Sequence, residues 1–212
     1  MKKILWIGLS SLMLISTLEA KSIASIQRGK ELSAVCAACH MPDGRGMVIP
    51  NLEARPRITG LDAAYVWKQL KDFKAGTREN ASMKPIVSMF DEEQLKDIAN
   101  YFASLEVVAD IAPAPSQEVA QVAQKLINQG DWNRYIPACK SCHGVGAYGV
   151  GEHFPNLNGQ PASYLEHQLM IWKTGQRNND SLHLMRSIAN RLSEEEIKAL
   201  AAWFASQPAV KQ

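Results

Sequence analysis

Cysteine is scarce in this chain of 212 residues: there are four, all of them in two pentapeptides, so no thiol is left over for a further disulfide or a cysteine nucleophile. Aromatic residues make up only 7%, and the runs between apolar stripes carry Gly, Pro and Asn without the alternation that marks a strand. Charge of one sign is missing too. The chain has 23 basic and 21 acidic side chains, with 12 of each from Lys21 to Asp110 and nine against eight from Ile111 to Gln212. That balance, with no basic run, excludes an electrostatic nucleic-acid surface and leaves little long-range steering of partners. A long apolar run is lacking except at the N-terminus. There Lys2 and Lys3 precede an apolar stretch from Ile4 to Leu18, and Leu18-Glu19-Ala20 reads as a cleavage site. The stretch is shorter than the roughly 20 residues of a membrane span. Residues 1–20 are therefore expected to be a secretory signal peptide; a retained anchor is the competing reading.

What is present is Cys36-Ala37-Ala38-Cys39-His40 and Cys139-Lys140-Ser141-Cys142-His143. Cys-x-x-Cys-His reads as c-type haem attachment. Two thiols three positions apart on a helical turn each bond a vinyl group, and the adjacent imidazole falls beneath the iron. A zinc ribbon would bring its second pair 15 to 20 residues after the first, whereas about a hundred residues separate Cys39 from Cys139. A thiol-exchange site would need βαβ surroundings, which neither motif has. Two plain disulfides suit an exported protein but leave His40 and His143 unexplained. The expected cofactors are two covalently attached haem c groups, bound through Cys36, Cys39, Cys142 and Cys139, with His40 and His143 on iron.

The motifs sit in an internal repeat. Pro50-Asn51-Leu52 returns as Pro155-Asn156-Leu157, Tyr65-Val66-Trp67-Lys68-Gln69-Leu70 as Tyr164-Leu165-Glu166-His167-Gln168-Leu169, and Gly76-Thr77-Arg78-Glu79-Asn80 as Gly175-Gln176-Arg177-Asn178-Asn179. Two homologous domains follow: residues 21–110, then a proline-rich linker at 111–116, then residues 117–212. Val66, Leu70 and Phe73, then Leu95, Ile98, Phe102 and Leu105, form helical stripes, repeated by Leu165, Leu169 and Trp172 and by Ile197, Leu200 and Phe204. Asp91 with Gln94 and Ser193 with Glu196 spell capping boxes. The expected fold class is all-α: two tandem domains, each a few short helices around its haem. Domains of about 90 residues with so much loop bury a thin core, which the porphyrin would complete.

The remaining iron ligand separates electron transfer from catalysis, and methionine opposite histidine gives a closed, high-potential site. Among eight methionines, the repeat selects Met83 and Met185: each precedes its capping box by eight residues, and they follow His40 and His143 by 43 and 42. Met41 and Met47 lie too near His40 and have no counterpart. Met89 is matched by Arg191 and Met170 by Lys71, so both are expected to be core packing. His153, His167 and His183 have no first-copy equivalents and are expected at the surface, His183 being the one rival to Met185. Arg78 and Arg177 are either propionate ligands or exposed turn residues.

These motifs, in this order and in both halves, make the chain resemble the dihaem cytochrome c4 family across nearly all of its mature length. The resemblance implies a periplasmic protein of two tandem class I cytochrome c-like domains, with two haems facing each other near a pseudo-twofold domain interface. It implies electron transfer from a membrane quinol-oxidising complex to a terminal oxidase or another acceptor, in loose association with the inner membrane, by a monomer or homodimer and not by an enzyme. Departures occur in the first half, where Met41 replaces the glycine present as Gly144. Two other classes stay open: the haem subunit of a larger oxidoreductase, such as a flavocytochrome c sulfide dehydrogenase, and a catalytic dihaem enzyme.

Overall fold

The structure is a computed structural model that describes residues 22–50 and 52–211. The expected signal peptide, residues 1–20, and Asn51 of the Pro50-Asn51-Leu52 match lie outside the described residues. All regular secondary structure among the described residues is helical, apart from three isolated bridges, Met47 with Arg55, Asp131 with Ile136 and Val150 with Phe154.

The first half holds α1 over 22–32, α2 (Ala34–His40), α3 (Ala63–Ala75), α4 (Met83–Val87) and α5 (Glu92–Ser104). The second repeats the order with α6 (Gln117–Asn128), α7 (Lys140–His143), α8 (Ala162–Lys173), α9 (Leu184–Arg191) and α10 (Glu194–Ala205). A stretch without regular secondary structure at 106–116 joins them. Local chemistry sets the ends of these helices. Asp62 caps α3 by accepting from the backbone N–H groups of Ala64 (2.7 Å) and Tyr65 (3.3 Å), and Gly76 closes it in the left-handed conformation. Both capping boxes are formed, Asp91 with Gln94 on α5 and Ser193 with Glu196 on α10. Ser116, just past Pro113 and Pro115, starts α6.

In each half the third helix packs on the last, α3 on α5 and α8 on α10. The apolar stripes are buried there: Val66 packs with Ala99 and Phe73 with Leu95 in the first half, and Leu165 with Ile197, Leu200 and Phe204 in the second, while Ile98, Phe102 and Trp172 are buried too. The second half builds one continuous cluster from Ala123 to Phe204, whereas the first splits into a Leu61–Tyr65–Val66–Ala99 group and a Phe73–Val87–Leu95 group. Met170 packs on the second-half core as expected. Met89 does not belong to a core: it is 59% exposed, because it sits in the turn after α4 on the solvent side.

Helix α1 approaches α5 so closely that a Cβ on Gly29 would lie 2.0 Å from the Asp97 carbonyl oxygen. Asp97, buried on α5, takes hydrogen bonds from Arg28 Nε (2.6 Å), Arg28 Nη2 (3.0 Å) and the Ser25 hydroxyl. Burial alone would raise the Asp97 carboxyl, but the Arg28 and Ser25 bonds outweigh it and hold the group below the ordinary carboxylate value. A depressed native value means stability that is present above the unfolded value, near 3.9, and is lost as pH falls through the native one. Chemical unfolding of the loaded protein followed between pH 7 and pH 3 should show that loss, and Asp97→Asn should be less stable at pH 7 and flatter across the acid range.

Candidate functional site

Two clefts open beside the pentapeptides. The first, about 290 Å³, is lined by Cys36, Cys39, His40 and Met83; the second, about 220 Å³, by Cys139, Cys142, His143 and Met185. Every residue expected to attach or ligate a haem thus lies on the wall of its own cleft. Leu157, Leu165, Trp172 and Ile188 are among the apolar residues of the second wall, and Leu61, Val66, Phe73 and Ile86 of the first.

His40 and His143 are held alike. Each is the last residue of a short helix, buried, with Nδ1 2.8 Å from a proline carbonyl oxygen, Pro56 for His40 and Pro155 for His143. That carbonyl can only accept, so Nδ1 carries the proton and Nε2 is the free, basic nitrogen. Burial lowers the pKa of both imidazoles despite the proline bonds, favouring the neutral ring that a metal takes. The cysteines are free thiols, and burial pushes Cys36 and Cys139 up to about 11, the opposite of what activates a thiol-exchange cysteine. A neutral imidazole, paired thiols on one turn and a thioether in the same apolar cleft fit a covalently held haem.

The proline contacts revise the repeat. The partner of Pro155 is Pro56, not Pro50: after each proline, Ile58 and Leu157 donate to the carbonyls of Gly44 and Ala147 at 2.8 and 3.0 Å. Four extra residues in the first copy, before Arg55, carry the misleading Pro-Asn-Leu string. Arg57 therefore stands where the second copy has Asn156. Of the rival ligands, His183 is exposed and off the cleft wall, and His167 is exposed near Glu53. His153 is exposed at the rim, 3.3 Å from the Ser181 hydroxyl.

Neither Arg78 nor Arg177 is an exposed turn residue; both are 7% exposed and lie between the halves. Arg78 donates to Gln69 (2.8 Å), Gln168 (2.8 Å) and the Tyr164 hydroxyl (3.0 Å), while Arg177 donates to Gln168 (2.6 Å) and Gln69 (3.1 Å). Each arginine thus binds its own half's glutamine and the other's. Burial and the Arg78 charge push Arg177 down. Arg78 lines the first cleft and Arg177 the second, and Gln69, Gln168, Tyr65 and Tyr164 line both. A second set crosses the interface at Arg57, whose backbone N–H donates to Gln160 Oε1 (3.0 Å) while Gln160 Nε2 returns to the Arg57 carbonyl (2.8 Å). Sequence reasoning missed Arg57, Gln160 and the interdomain role of the glutamines; the repeated glutamine of Tyr-x-x-x-Gln-Leu was the only trace of them.

A cytochrome c family profile matches residues 26–106 and again 120–208. The chain belongs to the cytochrome c family. It is a dihaem member, an electron-transfer protein and not an enzyme by itself, with one haem c domain in each half. It is 40% identical over 176 residues to the thiosulfate dehydrogenase electron acceptor of Thiomonas intermedia (strain K12), covering 83% of this chain and 80% of that protein. Among solved structures, reduced recombinant cytochrome c4 from Pseudomonas stutzeri matches with a TM-score of 0.77 and 32% identity, over 86% of this chain and 98% of that one. Thiosulfate dehydrogenase (TsdBA) from Marichromatium purpuratum matches with a TM-score of 0.77 and 39% identity over 86% of this chain. This cytochrome spans 40% of that longer chain.

One departure of the first haem domain has a physical cost. Met41 follows the attachment histidine at φ 68, ψ 154, a region essentially reserved for glycine, and its counterpart Gly144 sits at φ 80, ψ 169. Met41→Gly relieves that strain at the expense of glycine's larger chain entropy, for a net gain of about 1 kcal/mol. The denaturant midpoint of the loaded protein should rise in this variant, and Gly144→Ala should lower it.

Proposed function

We propose that Cys36, Cys39 and His40 with Met83 hold one haem c, that Cys139, Cys142 and His143 with Met185 hold the other, and that the protein carries single electrons in the periplasm. The observation that carries this reading is the pair of matched clefts, each combining two thiols, a neutral imidazole with a free Nε2, and a methionine. In this reading the mature protein begins at Lys21, its domains span 21–110 and 117–212, and residues 111–116 link them. Among the described residues no helix is long and apolar enough to cross a membrane. Electrons arrive from a quinol-oxidising complex or another donor and leave to a terminal oxidase or a comparable acceptor.

When bound, the haem supplies iron that cycles between Fe(III) and Fe(II) without a bond being made in a substrate. The chain's own residues do the rest. Pro56 and Pro155 fix the imidazole tautomer and ring orientation, and Met83 and Met185 would hold the iron from the cleft wall and keep small ligands from it. The apolar walls would exclude water and disfavour the extra charge of Fe(III), which would raise the potential. Arg78 and Arg177, two buried guanidiniums that hydrogen-bond only neutral partners, suit haem propionates as counter-charges.

A second reading is favoured by the 40% identity to a thiosulfate dehydrogenase electron acceptor and by the likeness to the TsdBA chain: the donor is a thiosulfate-oxidising enzyme. Purified thiosulfate dehydrogenase with thiosulfate should then reduce this cytochrome in stopped-flow at a rate that saturates with cytochrome concentration. No reduction above the thiosulfate-only control would remove that donor.

The ligand assignment is tested by visible spectra across a redox titration. Met83→Ala and Met185→Ala should each remove the methionine-to-iron charge-transfer band of one haem, about half the wild-type intensity, while both haems stay covalently bound. A full wild-type band in either variant would reject that methionine.

A further inference from the structure

The two clefts are alike in their apolar walls and iron-ligand residues but opposite in the fixed charge buried beside them. Arg57, on the wall of the first cleft, is wholly inaccessible to solvent. Its guanidinium donates only to backbone carbonyls, those of Thr59 and Asn158, the latter at 2.8 Å, and its Nε is buried without a partner. Of the first cleft's own carboxylates, Glu53 and Glu79 are exposed, and Glu53 is turned toward Arg55 at 3.8 Å and Asn80. Burial pushes the Arg57 guanidinium down to about 10, which leaves it charged at neutral pH. The second copy has neutral Asn156 at this place, its amide donating to the Val210 carbonyl at 2.8 Å.

The second cleft carries the reverse. Asp180 lies on its wall with a side chain 7% exposed. One carboxylate oxygen accepts from the Arg186 backbone N–H at 2.9 Å; the other is buried without a hydrogen bond, its nearest cationic candidate being exposed His183 at 3.9 Å. In the first copy, where Asn80 matches Asn179 and the run on to Met83 is three residues shorter, no carboxylate takes this place, and the turn is capped by the amide oxygen of Asn80, which accepts from the backbone N–H groups of Ser82 and Met83. Of the other charges facing the second cleft, Lys68 is paired with Asp72 at 2.6 Å, Glu152 is exposed 3.2 Å from His153, and Arg177 has its equivalent in Arg78 at the first cleft.

We infer that Arg57 and Asp180 order the two redox sites, making the first cleft the seat of the first electron taken up and the second cleft the seat of the second. The inference rests on each cleft holding a haem c. Reduction adds one negative charge at an iron. A buried, uncompensated cation beside it stabilises that product, and a buried carboxylate opposes it, with little solvent to screen either. Groups present in both copies cancel in the comparison: the propionates, the histidine and methionine ligands, and Arg78 with Arg177. Exposed Glu79 at the first cleft and exposed Glu152 at the second lie one on each side; among buried groups what is left is one positive charge at the first site and one negative at the second, and both push the midpoints apart in the same sense.

Spectroelectrochemical titration, driven by dithionite and a chemical oxidant, resolves the order by sign without assigning bands. Haem content is measured first, by alkaline pyridine spectra: two haems per chain keep the clefts as read, and fewer would reject that reading itself. Arg57→Asn, which installs the second copy's residue, should lower the upper midpoint and leave the lower one in place. Asp180→Asn should raise the lower midpoint, so each change narrows the gap, while Arg57→Lys, which keeps the charge, should leave the gap open. A gap that widens in Arg57→Asn or Asp180→Asn would reverse the order. Midpoints that do not move, or an Arg57→Lys gap that closes as in Arg57→Asn, would remove charge as the cause. If Arg57→Asn does not accumulate, Asp180→Asn decides alone, since its buried oxygen makes no bond that the fold needs.

Discussion

A ring nitrogen facing a proline carbonyl fixes the geometry of each half. The bond from His40 to Pro56, and from His143 to Pro155, ties the end of a very short helix to a loop that otherwise has no regular structure. Helices of seven and four residues have no stability of their own. They are held by what surrounds the ring, and the ring is held in one tautomer by the carbonyl. Loop, helix end and cleft wall therefore form one unit, and the third and last helices of each half serve mainly to close it from the other side.

The interface between the halves obeys a different constraint. It is polar, buried and cationic, with Arg57, Arg78 and Arg177 inaccessible or nearly so and bonded to amides, a hydroxyl and carbonyls instead of carboxylates. A buried charge without a counter-charge is costly, so this interface is best satisfied when anionic groups stand in the adjoining clefts. Glutamines 69 and 168 serve the arginines of both halves at once, which couples the two clefts through side chains that line each of them.

Much of this was legible in the sequence because the signals were local. Cys-x-x-Cys-His needs one helical turn, capping boxes need four residues, and the stripes through Phe102 and Phe204 need only the helical period. Met83 and Met185 were singled out by register between copies, a comparison internal to the chain, and each lines its own cleft. What failed was register across a gap: the Pro-Asn-Leu string at 50–52 outcompeted Pro56, whose role depends on a contact 16 residues away. Arg78 and Arg177 read equally well as surface residues because their burial is created by the other half. Met89 looked apolar enough for a core, yet a turn outside the packed helices gives it nothing to pack on. Arg57 and Asp180 carried no motif at all; only burial without a partner distinguishes them from ordinary charges.

The central claim is that two porphyrins are bound covalently through the four cysteines and complete two clefts that the polypeptide leaves open. Intact-mass spectrometry of the mature protein, made in a host that attaches haem in the periplasm, tests it most directly. The account predicts a chain starting at Lys21 plus two haem masses, resistant to acid-acetone extraction, with one haem lost when Cys36 and Cys39 are both replaced by serine and the other when Cys139 and Cys142 are. A mature chain of unmodified mass with four titratable thiols, or with two disulfides, would contradict it.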